Sequence, residues 1–134
     1  MPAYSASRII DRALSTIGVL EAEESATAAQ AQDALDTLND ILNEWDRRGI
    51  GGGFSDATLS TELTLDPDEY RAIRLWLALD LASEYQVTAS PLLIQAADDA
   101  RRLLEAKYSS PSRLCIEDVQ QLGRINNYRI KTGF

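Results

Sequence analysis

The stretch DPDEYRAIRLWLALDLASEY, residues 66–85, constrains the fold more than any other part of this chain. Asp66 is placed to cap a helix, Pro67 takes the first helical position, and Glu69 completes a capping box. Beyond that start, Tyr70, Ile73, Leu77, Leu81 and Tyr85 fall on one helical stripe. Trp76, Leu79 and Ala82 add a second apolar side. A helix apolar on two sides has to be covered from two directions, so this segment is expected to be the central helix of an α-helical body.

The flanking segments supply the covers. Ser90-Pro91 repeats the cap-then-proline start for a helix that runs to about Tyr108, with Leu93, Ala96, Ala97, Ala100, Leu104 and Tyr108 facing inward. Upstream, a helix starting at Thr27 or Ser25 places Ala31, Leu35, Leu38, Leu42 and Trp45 on one face, widened by Ala34 and Ile41. Gln32, Asp36, Asn39, Asn43 and Asp46 take the other face. A helix of that length is a rod of about 30 Å. Arg47 and Arg48 favour its C-terminus, and Gly49 stops it. The first helix is expected from Ser5 or Ser7 to Ile17, with Ser7 able to cap it, Ile10, Leu14 and Ile17 on its buried face and Gly18 at its end. The fold class is therefore all-α: a four-helix, mostly antiparallel body with a glycine-rich excursion between the second and third helices. Within that excursion, ATLSTELTL reads as a short extended segment or hairpin.

Residues 1–110 form the body, and Pro111 closes it. Residues 111–134 carry no helical stripe of useful length and are expected to form an extended C-terminal arm. The charge divides at the same point. The chain has 13 basic and 21 acidic residues; the arm holds four of the basic and two of the acidic, which leaves 9 and 19 in the body. An acidic body is unsuited to gripping a phosphate backbone, which requires a basic patch that releases counterions. No apolar run approaches the ~20 residues needed to span a bilayer, and no secretory signal pattern opens the chain. The expectation is a soluble protein, cytoplasmic when made, without a membrane partner.

Residue types narrow the chemistry. With one cysteine, Cys115, and no histidine, a Cys/His zinc site and histidine-based nucleophile systems are excluded. Cys115, between Leu114 and Ile116, reads as a small apolar filler. The glycines of GIGGGF lack the GK[ST] and G-x-G-x-x-G contexts of a phosphate loop and read as a flexible turn. The acid pairs Glu23-Glu24 and Asp98-Asp99 are neighbours on the chain, and a glycosidase instead needs two carboxylates held about 5–10 Å apart across a cleft. Asp80, inside LWLALDLA, reads as a position on a thin solvent-facing strip; pairing with Arg74 or with a neighbouring chain is the other reading. Tyr4, Tyr70, Tyr85 and Trp45 read as core or rim residues. No catalytic residue, cofactor or metal is expected.

The arm offers a docking peptide. Ile125, Tyr128, Ile130 and Phe134 are its anchors, with Arg124, Arg129 and Lys131 between them. Such a segment adds a strand to a sheet edge or lies in a groove on an acidic partner.

These motifs together resemble the head-to-tail adaptors (connectors, or tail accessory factors) of tailed bacteriophages. The resemblance rests on Asp66-Pro67, Tyr70-Arg71-Ala72, the Leu77–Ala82 run, Glu84-Tyr85 and Ser90-Pro91. It extends to RIIDRALSTIGVL and ALDTLNDILNEWDRRGI upstream and to RINNYRIKTGF at the end. Against the family pattern the excursion at 50–65 is short and the arm is brief. The resemblance implies a structural virion protein at the head–tail junction, made in the host cytoplasm. It would form a homo-oligomeric ring of twelve copies beneath the portal protein, extend the DNA channel without sequence-specific DNA binding, and seat the tail or the next connector. The other reading is a small helical assembly module whose arm binds a soluble partner. A carboxylate-dependent glycan hydrolase is a third.

Overall fold

The computed structural model describes residues 3–21, 23–51 and 54–109. Within them the chain runs β1 (Ala3–Ser5), α1 (Ala6–Thr16), α2 (Ala28–Arg47), β2 (Glu62–Thr64), α3 (Pro67–Glu84) and α4 (Pro91–Tyr108). The body is the expected all-α, four-helix fold, with one two-stranded sheet added. α3 packs against α1, α2 and α4, and α1 also packs against α2. Ile73, Leu77, Ala78 and Leu81 of α3 are fully buried, together with Ile9, Ile10 and Leu14 of α1, Leu38 of α2 and Leu104 of α4. The two-sided apolar pattern of the third helix thus corresponds to a helix enclosed by its neighbours. Of the residues expected to face inward on α4, Ala97, Ala100 and Leu104 are buried, and Leu93, Ala96 and Tyr108 are half-buried. The far side of α4 is open, with Leu92 78% exposed and Leu103 54% exposed.

Local chemistry sets the helix ends. Thr27 and Gln30 form a reciprocal capping box at α2, and Asp66 and Glu69 form one at α3. Ser90 caps α4 by accepting from the Leu93 amide. Ser5, one of the two residues expected to start α1, accepts from the Arg8 amide as its N-cap; Ser7 lies inside the helix. α1, α2 and α3 all end in the same paired-bond turn. The amides of Gly18, Gly49 and Gln86 donate to Ser15, Asp46 and Ser83, and those of Val19, Ile50 and Val87 donate to Leu14, Trp45 and Ala82. Gly18 and Gly49 adopt the left-handed backbone that this turn requires, and at α3 a non-glycine residue, Gln86, does so with φ +55°.

The excursion between α2 and α3 is tied down at both sides. The extended segment expected at 57–65 is β2, and it pairs antiparallel with β1 at the start of the chain instead of closing a local hairpin. Thr61 and Leu59 carbonyls then accept from the Ala6 and Ser7 amides, satisfying the first donors of α1. On the other side, Asn39 makes a two-way bond with the Ala57 backbone, at 2.8 and 3.1 Å, and Asn43 donates to Asp56. The polar face of α2 therefore holds the excursion as well as meeting solvent. Gly51, at φ +95°, lies so close to the Phe54 ring that a Cβ there would clash with it.

Candidate functional interfaces

The residues assigned to docking, Arg124, Ile125, Tyr128, Arg129, Ile130, Lys131 and Phe134, lie outside the described residues, as do Cys115 and the rest of 110–134. What the structure describes is the point from which that segment leaves. α4 ends at Tyr108, and its last turn is clamped to the first turn of α3. The Tyr108 hydroxyl donates to a Glu69 carboxylate oxygen, and the Lys107 ammonium pairs with Asp66. Glu69 is the one buried charged residue among those described, at 5% exposure, and it also accepts from the Asp66 amide at 3.3 Å. The hydrogen bond to Asp66 raises the Lys107 pKa. An open cleft of about 260 Å³ beside this clamp is lined by Arg48, Gly49, Ile50, Glu105, Tyr108 and Ser109.

Two charged faces are present as well, the second of them starting on the same first turns of α3 as the clamp. The first is acidic. Asp33, Asp36, Asp40 and Glu44 recur every three or four residues along the exposed side of α2, opposite its buried stripe, and Asp80 and Glu84 of α3 adjoin them. Thr37 of α2 donates to Glu84 at 2.8 Å, which fixes this neighbourhood. Partial burial pushes the Asp80 carboxyl above its ordinary pKa, and Glu44, Glu84 and Asp40 push it further. Asp80 is solvent-facing, as one sequence reading has it, and every charged group that shifts it is an acid. Arg74 makes no ion pair with it.

The second face is basic and aromatic. The rings of Tyr4 and Tyr70 stack with centroids 4.0 Å apart and planes 9° from parallel. The Arg8 guanidinium lies 5.7 Å from the centre of Tyr4, and that of Arg74 lies 5.6 Å from the centre of Tyr70. β1 sets this stack, because its pairing with Leu63 holds Tyr4 beside the start of α3. Arg12 stands one helical turn beyond Arg8, and Arg71 adjoins Tyr70; both are exposed. Among the described residues, none of Arg8, Arg12, Arg71 and Arg74 is within ion-pair distance of a carboxylate.

One member of each acid pair sits in a local contact. Asp98 is held by Arg101 at 3.4 Å and Arg102 at 3.1 Å along α4, while Glu24 accepts from the Glu21 amide. Tyr70 and Tyr85 are half-buried rim residues and Trp45 is in the core. Sequence reading assigned Tyr4 and Tyr70 to core or rim without pairing them. The only signal for the stack was a tyrosine just before an N-terminal helix and another in the first turn of α3. No described helix is long and apolar enough to cross a membrane. No protein-family model matches the chain, and no curated protein matches it.

Proposed function

We propose that this chain is a structural head-completion adaptor of a tailed phage. It forms a ring below the portal, extends the DNA channel and provides the seat for the tail or the next connector. The observation that carries the reading is the way the body ends. A closed helical core finishes in a helix whose last turn is clamped through Glu69 and Asp66, and the segment that follows has the opposite net charge. A segment rooted at a fixed point on a rigid body delivers its anchors to a defined place on a partner. When many copies engage one symmetric portal, weak single contacts combine into tight attachment.

Arg124, Ile125, Tyr128, Arg129, Ile130, Lys131 and Phe134 are the proposed portal contacts. The acidic body supports the channel role, since a wall of carboxylates repels phosphates and lets DNA pass without sticking. In this reading the protein is made in the host cytoplasm and resides in the virion at the head–tail junction. It works without a catalytic residue, cofactor or metal.

Truncation after Ser110 tests the docking role. The truncated chain should keep the helical signal and unfolding transition of the body and lose portal binding in sedimentation. Unchanged portal binding would refute the docking role. Binding of the full-length chain to a soluble partner, with portal rings left bare, would favour the assembly-module reading.

A further inference from the structure

We infer that the basic–aromatic face formed by Arg8, Tyr4, Tyr70 and Arg74 is a docking surface for the acidic α2–α3 face of a second copy of this chain. The argument starts from an imbalance. The body carries 9 basic and 19 acidic residues, so an arginine on its surface is surrounded by candidate partners. Yet Arg8, Arg12, Arg71 and Arg74 pair with no described carboxylate. The Nε of Arg74 is buried and has no acceptor among the described residues. Four arginines are thus gathered on the outer side of α1 and the first turns of α3, two of them against stacked tyrosine rings.

That arrangement suits carboxylate capture. A guanidinium resting near a ring has given up part of its rotamer freedom before a partner arrives, and its planar fork matches a carboxylate with two parallel bonds. The opposite surface is present on the same molecule. Asp33, Asp36, Asp40, Glu44, Asp80 and Glu84 form one face, in which Arg48 is the sole described cation ion-paired, to Glu44 at 2.8 Å. Glu44, Glu84 and Asp40 add to partial burial in raising the Asp80 pKa, and a cationic partner relieves the repulsion among these neighbouring acids. Within one copy no ion pair joins the two faces among the described residues. The arginines and Tyr70 come from α1 and the first turns of α3, whereas the acids come from α2 and the last turns of α3. A contact between two different surfaces of identical chains is heterologous, and it propagates into a ring or an open filament.

Net charge opposes association, and distance decides between the two effects. At 0.1 M salt the screening length is about 10 Å, so repulsion between whole acidic bodies is damped while directly apposed pairs are not. Head-to-tail association is therefore expected near 0.1 M salt and should weaken at about 1 M.

The inference deepens the ring reading by naming the contact between neighbours. It rests on that reading only for the number of copies, and the two fail separately. A self-associating chain that leaves portals bare sinks the adaptor and keeps this contact; a chain that binds portals and never self-associates does the reverse.

The test uses sedimentation velocity on the full chain and two charge-reversed variants, Arg8→Glu/Arg71→Glu and Asp36→Lys/Asp40→Lys. All four positions are exposed, and helicity with unfolding midpoint monitors folding. The natural chain should associate with rising concentration, and each variant alone should weaken that by at least about 100-fold in Kd. Mixing the two variants should restore association, because each supplies the face the other lacks. Three results would overturn the inference: a natural chain monomeric throughout, folded variants that associate like it, or a mixture that stays monomeric.

Discussion

Replacing Tyr108 with phenylalanine removes one oxygen from the clamp that holds the end of α4. The ring stays, with its packing against the core and its place beside the Lys107 ammonium, 5.6 Å from the ring centre. Glu69, at 5% exposure, then keeps only the Asp66 amide as a described donor. A hydrogen bond to a charged group is worth about 1.5–3 kcal/mol, and a buried carboxylate left short of donors pays the upper part of that range. The exposed side of Asp66 and Lys107 lets Glu69 shift toward water, so about 2 kcal/mol is expected. For a body of about 110 residues that lowers the melting midpoint by roughly 6–12 °C. Thermal unfolding followed by circular dichroism reads this directly. The same substitution in a Glu69→Ala background isolates the bond, where the hydroxyl has lost its acceptor and its removal should cost under about 0.5 kcal/mol. A midpoint that moves by less than about 2 °C, or equal losses in both backgrounds, would refute the clamp.

Three further outcomes follow from other positions. Gln86 holds a left-handed backbone at the end of α3, where the equivalent residues after α1 and α2 are Gly18 and Gly49. The strain of about 1–2 kcal/mol exceeds the entropy cost of glycine, so Gln86→Gly should raise stability by about 0.5–1 kcal/mol in urea unfolding; a loss would show the turn to be unstrained. Asp80 has a folded pKa above the ordinary aspartate value, so the folded state holds that proton more tightly than the unfolded chain. Its ionisation costs nothing below the unfolded pKa and lowers stability as pH rises through the folded pKa. Asp80→Asn should remove that decline and stabilise the body at pH 7 by about 0.5–1 kcal/mol, because solvent screens an exposed group. Equal stability of the two proteins from pH 4 to 8 would contradict this. Leu103→Lys on the open side of α4 should change stability by less than about 0.5 kcal/mol, and a larger loss in urea would place that residue in the core.

What was legible in the sequence was local. Asp66 with Glu69, Ser90 with Pro91, and Gly18 and Gly49 announce helix ends through chemistry within four residues, and each end lies where expected. The stripes of α2 and α3 are equally local: Leu35, Leu38, Leu42, Trp45, Ile73, Leu77 and Leu81 are buried as expected. Ala31, Tyr70, Trp76, Leu79 and Tyr85 are instead half-buried, and Ala72, Leu75 and Ala78 take core places outside the expected pattern. What escaped depended on contacts far apart in the chain. β2 has alternating residues but no marker for its partner, which lies some sixty residues upstream. Asn39 looks like any solvated polar residue until Ala57 is placed beside it. Gln86 was hidden because its turn is the kind usually marked by glycine. Tyr4 and Tyr70 carry no sign of their stack, because the pairing of β1 with β2 creates it. The anchors from Arg124 to Phe134 rest on the pattern of the sequence and lie outside the described residues.

The most direct measurement of the adaptor proposal is to mix the full-length chain with isolated portal rings and image the product by electron microscopy. The proposal predicts a second ring of twelve copies on one end of each portal, with the central channel open through both. Portal rings that remain bare at saturating protein would contradict it.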